Sequence, residues 1–87
     1  MGTSIGAAAI SYAESVLRGS VTLYELAKKD VKSGYKGSLT NAIEDIEKHY
    51  DDLLKLSEKC HFGFFERRKY QKILSKMQQL HEKVHQL

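Results

Sequence analysis

Apolar residues recur along most of the chain at alternating spacings of three and four positions, the period of one face of an α-helix. Two short glycine-containing stretches divide this pattern into three runs. The apolar faces consist of Ile10, Ala13, Leu17, Ser20, Tyr24, Ala27 and Val31; of Leu39, Ile43, Ile46, Tyr50, Leu53, Ser57 and Cys60; and of Tyr70, Ile73, Met77, Leu80, Val84 and Leu87. The pattern predicts three amphipathic helices, at about residues 4–32, 39–60 and 64–86.

The breaks between the runs have residues typical of helix ends. Residues 32–38 read KSGYKGS, and Ser38, Thr40 or Asn41 is able to cap the helix that follows. The second break reads CHFGFF, at residues 60–65, with its glycine as the expected turn. Connections this short place neighbouring helices antiparallel.

The predicted fold is therefore all-α, an antiparallel up-down-up three-helix bundle in which residues 1–87 form a single domain. The absence of proline and the 29% of charged residues agree with helices throughout. The first helix has Gly19 and Ser20 at its middle, where a core-facing helix usually has bulky side chains. Either the helix bends there or another helix packs close to it.

Cysteine content and hydropathy bear on the compartment. The single cysteine, Cys60, cannot form an internal disulfide, so a reducing cytoplasm is expected. The first apolar stretch, IGAAAI at residues 5–10, is too short to span a bilayer and lacks the basic residues that precede a signal-peptide core. We expect a cytoplasmic protein that can be recruited to a membrane surface.

The end of the chain contains the zinc-protease pattern H-E-x-x-H, with histidines at His81 and His85. In such enzymes a third ligand follows further along the chain, but only two residues come after His85. His49, Cys60 and His61 are the upstream alternatives. The helical periodicity places His81 beside the apolar face and His85 outside it, which favours surface histidines. We therefore expect no catalytic site, no metal and no cofactor.

Basic and aromatic residues lie side by side at the start of the third helix. Residues 61–87 contain six Lys/Arg and two Asp/Glu and are basic. Residues 38–60 contain three Lys/Arg and six Asp/Glu and are acidic. Cations are unfavourable at a helix N-terminus, so they require compensation. The candidates are the acidic second helix, anionic lipid headgroups and nucleic-acid phosphates. The basic residues are Arg67, Arg68, Lys69 and Lys72, and the neighbouring aromatic residues, which either close the bundle end or contact a partner, are Phe62, Phe64 and Phe65.

The stretch from Asn41 to Leu87 resembles part of the helical cell-death domains, and the residues that carry the resemblance are LLKLSEKCHFGFFERRKYQKILSKMQQLHEKV, at positions 53–84. These domains are the four-helix bundle of the mixed-lineage kinase domain-like pseudokinase, the fungal HeLo domains and the powdery-mildew-resistance-type coiled-coil domains of plant immune receptors. In that family an amphipathic helix ends in a charged run, turns through aromatic residues and restarts with basic ones. Residues 1–31, which begin with small apolar side chains, are similar to the family's first helix.

The resemblance implies a non-catalytic signalling module of cell death and innate immunity that forms homo-oligomers and perturbs anionic membranes. It also implies membrane insertion through Ile5, Ile10, Val16 and Leu17, and lipid contact through the basic residues of the third helix. The family usually has four helices or more, so the missing helix would come from a second copy, or the chain is the N-terminal module of a larger protein. The alternative function is a plain protein-interaction bundle; nucleic acid is not an expected partner.

Overall fold

The computed structural model describes residues 5–87, which form three helices joined by short connections. Helix α1 comprises Ile5–Lys32, α2 comprises Gly37–Lys59 and α3 comprises Phe64–His85. The predicted all-α fold is confirmed, and each predicted boundary within the described residues lies within two residues of the observed one. Residue 4, where the first helix was expected to begin, lies outside the described residues.

Cross-helix contacts fix the directions of the helices. The Oγ atom of Ser20 on α1 lies 3.4 Å from Nδ1 of His49 on α2. Nearer the connection, the hydroxyl of Ser38 donates a hydrogen bond to the carboxylate of Asp30. Residue numbers that rise along α1 therefore pair with numbers that fall along α2, which makes the two helices antiparallel.

Helices α2 and α3 are antiparallel by the same criterion. The hydroxyl of Tyr70 donates a 2.6 Å hydrogen bond to the carbonyl oxygen of Leu53. Further along, the rings of Tyr50 and His81 have centroids 6.1 Å apart. Because α1 and α3 are both antiparallel to α2, their N-termini lie at the same end of the bundle.

All three helices contribute to one core. The third apolar face is confirmed in full, since its first five members are buried and Leu87 packs half-buried against them. The buried apolar side chains are Ala9, Ile10, Ala13, Ala27, Ala42, Ile46, Leu53, Tyr70, Ile73, Met77, Leu80 and Val84. On α1 most buried residues are small, which lets the backbones of neighbouring helices approach closely.

The Gly19-Ser20 pair marks a close approach within one continuous helix. Ser20 is fully buried and faces the half-buried His49 of α2. Gly19 is exposed, and a Cβ atom added to it would meet nothing within 4 Å. Of the two explanations offered for this pair, close packing at the serine is the one observed.

The predicted capping of α2 is wrong. The helix begins at Gly37, with Lys36 at the N-cap position and no side-chain cap. Ser38 lies inside the first turn and bonds to Asp30 of α1 instead. A tertiary hydrogen bond between two helices has thus replaced the local cap. Gly34, with φ of 86°, provides the left-handed residue that ends α1.

Candidate functional site

Exposed apolar and basic residues meet where α1 and α3 begin. We call this surface the basic end; it consists of Ile5, Phe64, Phe65, Arg67, Arg68, Lys69 and Lys72. All seven side chains are exposed. The surface exists because α1 and α3 run parallel, which brings the first residue of one helix near the first turn of the other.

The three phenylalanines at and just before the start of α3 have different environments. Phe62 is half-buried and packs on Tyr70, with ring centroids 4.8 Å apart. Phe64 and Phe65 are 70% and 80% exposed and stack edge to face at 5.4 Å. Phe62 therefore closes the bundle end, whereas the other two form an apolar pair in solvent. An exposed aromatic pair of this kind is typical of a binding surface.

Among the residues that the structure describes, the acidic helix α2 forms no ion pair with the cations of the basic end. Among residues 5–87 the one ion pair joins Asp51 to Lys55 at 3.0 Å, and both residues belong to α2. The carboxylate of Asp51, through a hydrogen bond and its charge, raises the pKa of the Lys55 ammonium group. The first candidate for compensation, α2, therefore contributes no ion pair to α3. On α1, Glu14 lies in one groove with Lys69 and Lys72 but forms no ion pair with either.

Glu66 is the one acidic residue in the first turn of α3, and it faces inward. Its carboxylate accepts a 3.1 Å hydrogen bond from the backbone N–H of Gly63. It also lies over Gly6 of α1, where an added Cβ atom would come within 2.5 Å of the Glu66 Oε1 atom. This carboxylate is therefore held between the two helices, while Phe64, Phe65 and the basic residues of the first turns of α3 are exposed.

The residues predicted to insert into a membrane do not share one exposed face. Ile5 is 76% exposed, but Ile10 is only 7% exposed and belongs to the core. Val16 and Leu17 are half-buried against that core. With α1 docked, only Ile5 is available to lipid; the other three would reach it only if α1 left the bundle.

A shallow groove runs between α1 and α3 beyond the basic end. Its apolar floor includes Leu17, Val21 and Leu80, and its rim carries basic residues, among them Arg18 and Lys76. Sequence reasoning missed this groove because no single segment contains it. The signal was present only as exposed apolar positions, such as Val21, that lie beside the predicted faces.

The two histidines of the H-E-x-x-H pattern lie as predicted, His81 half-buried and His85 exposed. Two of the upstream alternatives for a third ligand, Cys60 and His61, lie in the connection before α3. Helix α3 rises by roughly 30 Å along its length, so both are at the far end from the pair. His49, the third alternative, contacts Ser20.

In comparisons with known proteins, no family model, no curated protein and no solved structure matches the chain. The resemblance to the cell-death domains therefore stays a prediction. Within residues 5–87, no helix combines the length and the apolar character needed to cross a membrane.

Proposed function

We propose that this chain is a non-catalytic helical module that associates with anionic membrane surfaces through the basic end. The observation that supports this most directly is the pairing of two exposed phenylalanines with four exposed cations that have no ion pair to α2. Aromatic rings next to basic residues suit the bilayer interface, where the rings enter the headgroup region and the cations meet lipid phosphates.

The proposed binding mode leaves the bundle folded. Burying Ile5, Phe64 and Phe65 in the interface removes exposed apolar surface, and none of the three is part of the core. Each basic residue close to an anionic bilayer contributes about 1 kcal/mol to binding. Apolar and electrostatic contributions together give the reversible attachment expected of a peripheral protein.

The resemblance extends the proposal from binding to action. In the cell-death domains the module self-associates and perturbs the bilayer, and we propose the same sequence of events for this chain. Release of α1 would then expose Ile10, Val16 and Leu17 to lipid. This step requires α1 to give up its contacts with both other helices, so it would follow membrane binding rather than cause it.

The test is co-sedimentation with phosphatidylcholine vesicles that contain either no anionic lipid or a substantial share of phosphatidylserine. The wild-type chain is compared with Arg67→Glu/Arg68→Glu and with the matched control Lys28→Glu/Lys29→Glu. Both double variants change the net charge equally at exposed positions, but the control lies at the other end of the bundle.

The proposal predicts binding that requires phosphatidylserine, weakens with salt and is lost in the Arg67/Arg68 variant alone. Dye release from the same vesicles reports whether binding also perturbs the bilayer. If the folded wild-type chain stays in the supernatant with both lipids, the membrane function is refuted.

A second candidate function is the binding of an acidic amphipathic helix in the groove between α1 and α3. The apolar floor and basic rim of that groove favour this ligand, which a second copy or another protein could supply. Analytical ultracentrifugation of the wild type and Val21→Glu distinguishes the sources. A concentration-dependent oligomer that Val21→Glu disrupts indicates that a second copy binds in the groove. If the wild type is monomeric at all concentrations, a second copy is excluded and the ligand must come from another protein.

A further inference from the structure

The H-E-x-x-H histidines meet an unexpected neighbour from the second helix. A ligating atom of each of Glu47, His81 and His85 lies within 4.8 Å of those of the other two. Glu47 and His85 are exposed and His81 is half-buried, so the cluster is open to solvent. We propose that these three residues bind a divalent transition-metal ion of the zinc class and thereby join α2 to α3.

The two imidazoles have the separation that such an ion requires. Their Nε2 atoms are 3.4 Å apart, with ring centroids at 4.7 Å and ring planes at 75°. Two nitrogen ligands in a tetrahedral zinc site, each about 2.05 Å from the metal, are roughly 3.3 Å from each other. His81 and His85 therefore match two corners of the tetrahedron with little movement.

The carboxylate of Glu47 can occupy the third position of the tetrahedral site after a small movement of its side chain. At separations of up to 4.8 Å, its carboxylate needs to move by about 1.5 Å toward the imidazoles to reach the tetrahedral edge length. A glutamate side chain with three rotatable bonds and an exposed position makes this movement readily. The fourth corner faces solvent and would be occupied by water.

The surroundings favour a cation at this position. The groove beside the cluster is lined by Glu44 and Asp51 as well as Glu47, with Lys48 as its one basic residue. Two imidazoles and one carboxylate form a donor set of the zinc type, whereas magnesium and calcium take oxygen ligands. The ligand class is therefore a borderline-soft divalent ion, and Zn²⁺ is the probe to use.

The H-E-x-x-H pattern did not indicate where the third metal ligand of this site would come from. A zinc protease takes its third ligand from further along the chain, whereas here the antiparallel register of α2 and α3 brings Glu47 level with the histidines. The consequence is structural, because an ion that binds the folded chain and bridges two helices raises the melting temperature.

The experiment is a zinc titration of the full chain, purified without a histidine tag, by calorimetry and by competition with a chromogenic chelator. The variants are Glu47→Gln, His81→Ala and His85→Ala, and the matched controls are Glu58→Gln, which is exposed on α2 outside this groove, and His61→Ala. Circular dichroism in chelator confirms that each variant is folded before zinc is added. Cobalt then reports the geometry, since tetrahedral Co²⁺ has intense visible absorption bands.

We expect one zinc ion per chain and at least a tenfold loss of affinity in each site variant, with both controls unchanged. Zinc at a hundred times its dissociation constant should raise the melting temperature by on the order of 10 °C. No zinc binding would overturn the proposal. Binding that His81→Ala abolishes but Glu47→Gln leaves intact would overturn it too, since it would indicate a histidine pair on one helix.

Discussion

Replacing Phe64 and Phe65 with alanine tests whether the exposed aromatic pair contributes to membrane affinity. The two rings are 70% and 80% exposed, so most of their apolar surface is available for burial in lipid. Complete burial of a phenylalanine side chain is worth about 1.5–3 kcal/mol. Since the rings partly cover each other at 5.4 Å, about 2–3 kcal/mol is reasonable for the pair.

This free energy corresponds to a roughly 30- to 150-fold loss of vesicle affinity, at about 1.4 kcal/mol for each factor of ten. The stability of the bundle should change by less than about 0.5 kcal/mol, because both side chains lie outside the core. The assay is a vesicle titration at fixed phosphatidylserine content, with the bound fraction measured by sedimentation, alongside thermal unfolding.

The matched control is Leu26→Ala/Tyr35→Ala, which removes two exposed apolar side chains, 49% and 61% accessible, near the opposite end of the bundle. Its vesicle affinity should equal that of the wild type. If the phenylalanine variant binds as tightly as the control, the aromatic pair takes no part in binding and the apolar half of the argument is refuted.

Three further predictions concern the bundle itself. Gly19→Ala should raise the stability by about 0.5–1 kcal/mol, visible in thermal unfolding, because alanine is the better helix former and its Cβ atom meets no neighbour. Gly6→Ala should gain less than Gly19→Ala or lose stability in the same assay, because its Cβ atom displaces the carboxylate of Glu66 from its bond to Gly63. Burial raises the pKa of Tyr70 to about 12, so one tyrosine should ionise last in an ultraviolet titration. Because the unfolded tyrosine ionises near pH 10, stability should fall between about pH 10 and 12, and Tyr70→Phe should remove that contribution.

The sequence pattern identified the large core residues better than the small ones. On α3 the face that includes Tyr70, Met77 and Val84 consists of large apolar residues with polar neighbours, so its periodicity is unambiguous. On α1 and α2 the pattern missed Ala9 and Ala42, which are buried. Alanine has little apolar surface, so its burial is decided by how closely the neighbouring helices approach rather than by local patterning.

The candidate sites depend on tertiary arrangement, which limits prediction from sequence. The basic residues and the phenylalanines were identifiable, but only the path of the chain at the second connection decides that Phe62 packs inward while Phe64 remains in solvent. Nothing in the sequence around Glu47 indicated that it lies next to the two histidines. Its proximity to His81 requires the register of α2 against α3, and the spacing along one segment does not contain that information.

The most direct test of the proposed membrane surface is a polarity-sensitive fluorophore placed at each end of the bundle in turn. In a Cys60→Ser background, the dye is attached through Phe64→Cys at the basic end or through Tyr35→Cys at the opposite end. The account predicts a blue shift at position 64 when phosphatidylserine vesicles are added, and an unchanged spectrum at position 35. An unchanged spectrum at position 64, or equal shifts at both ends, would contradict it.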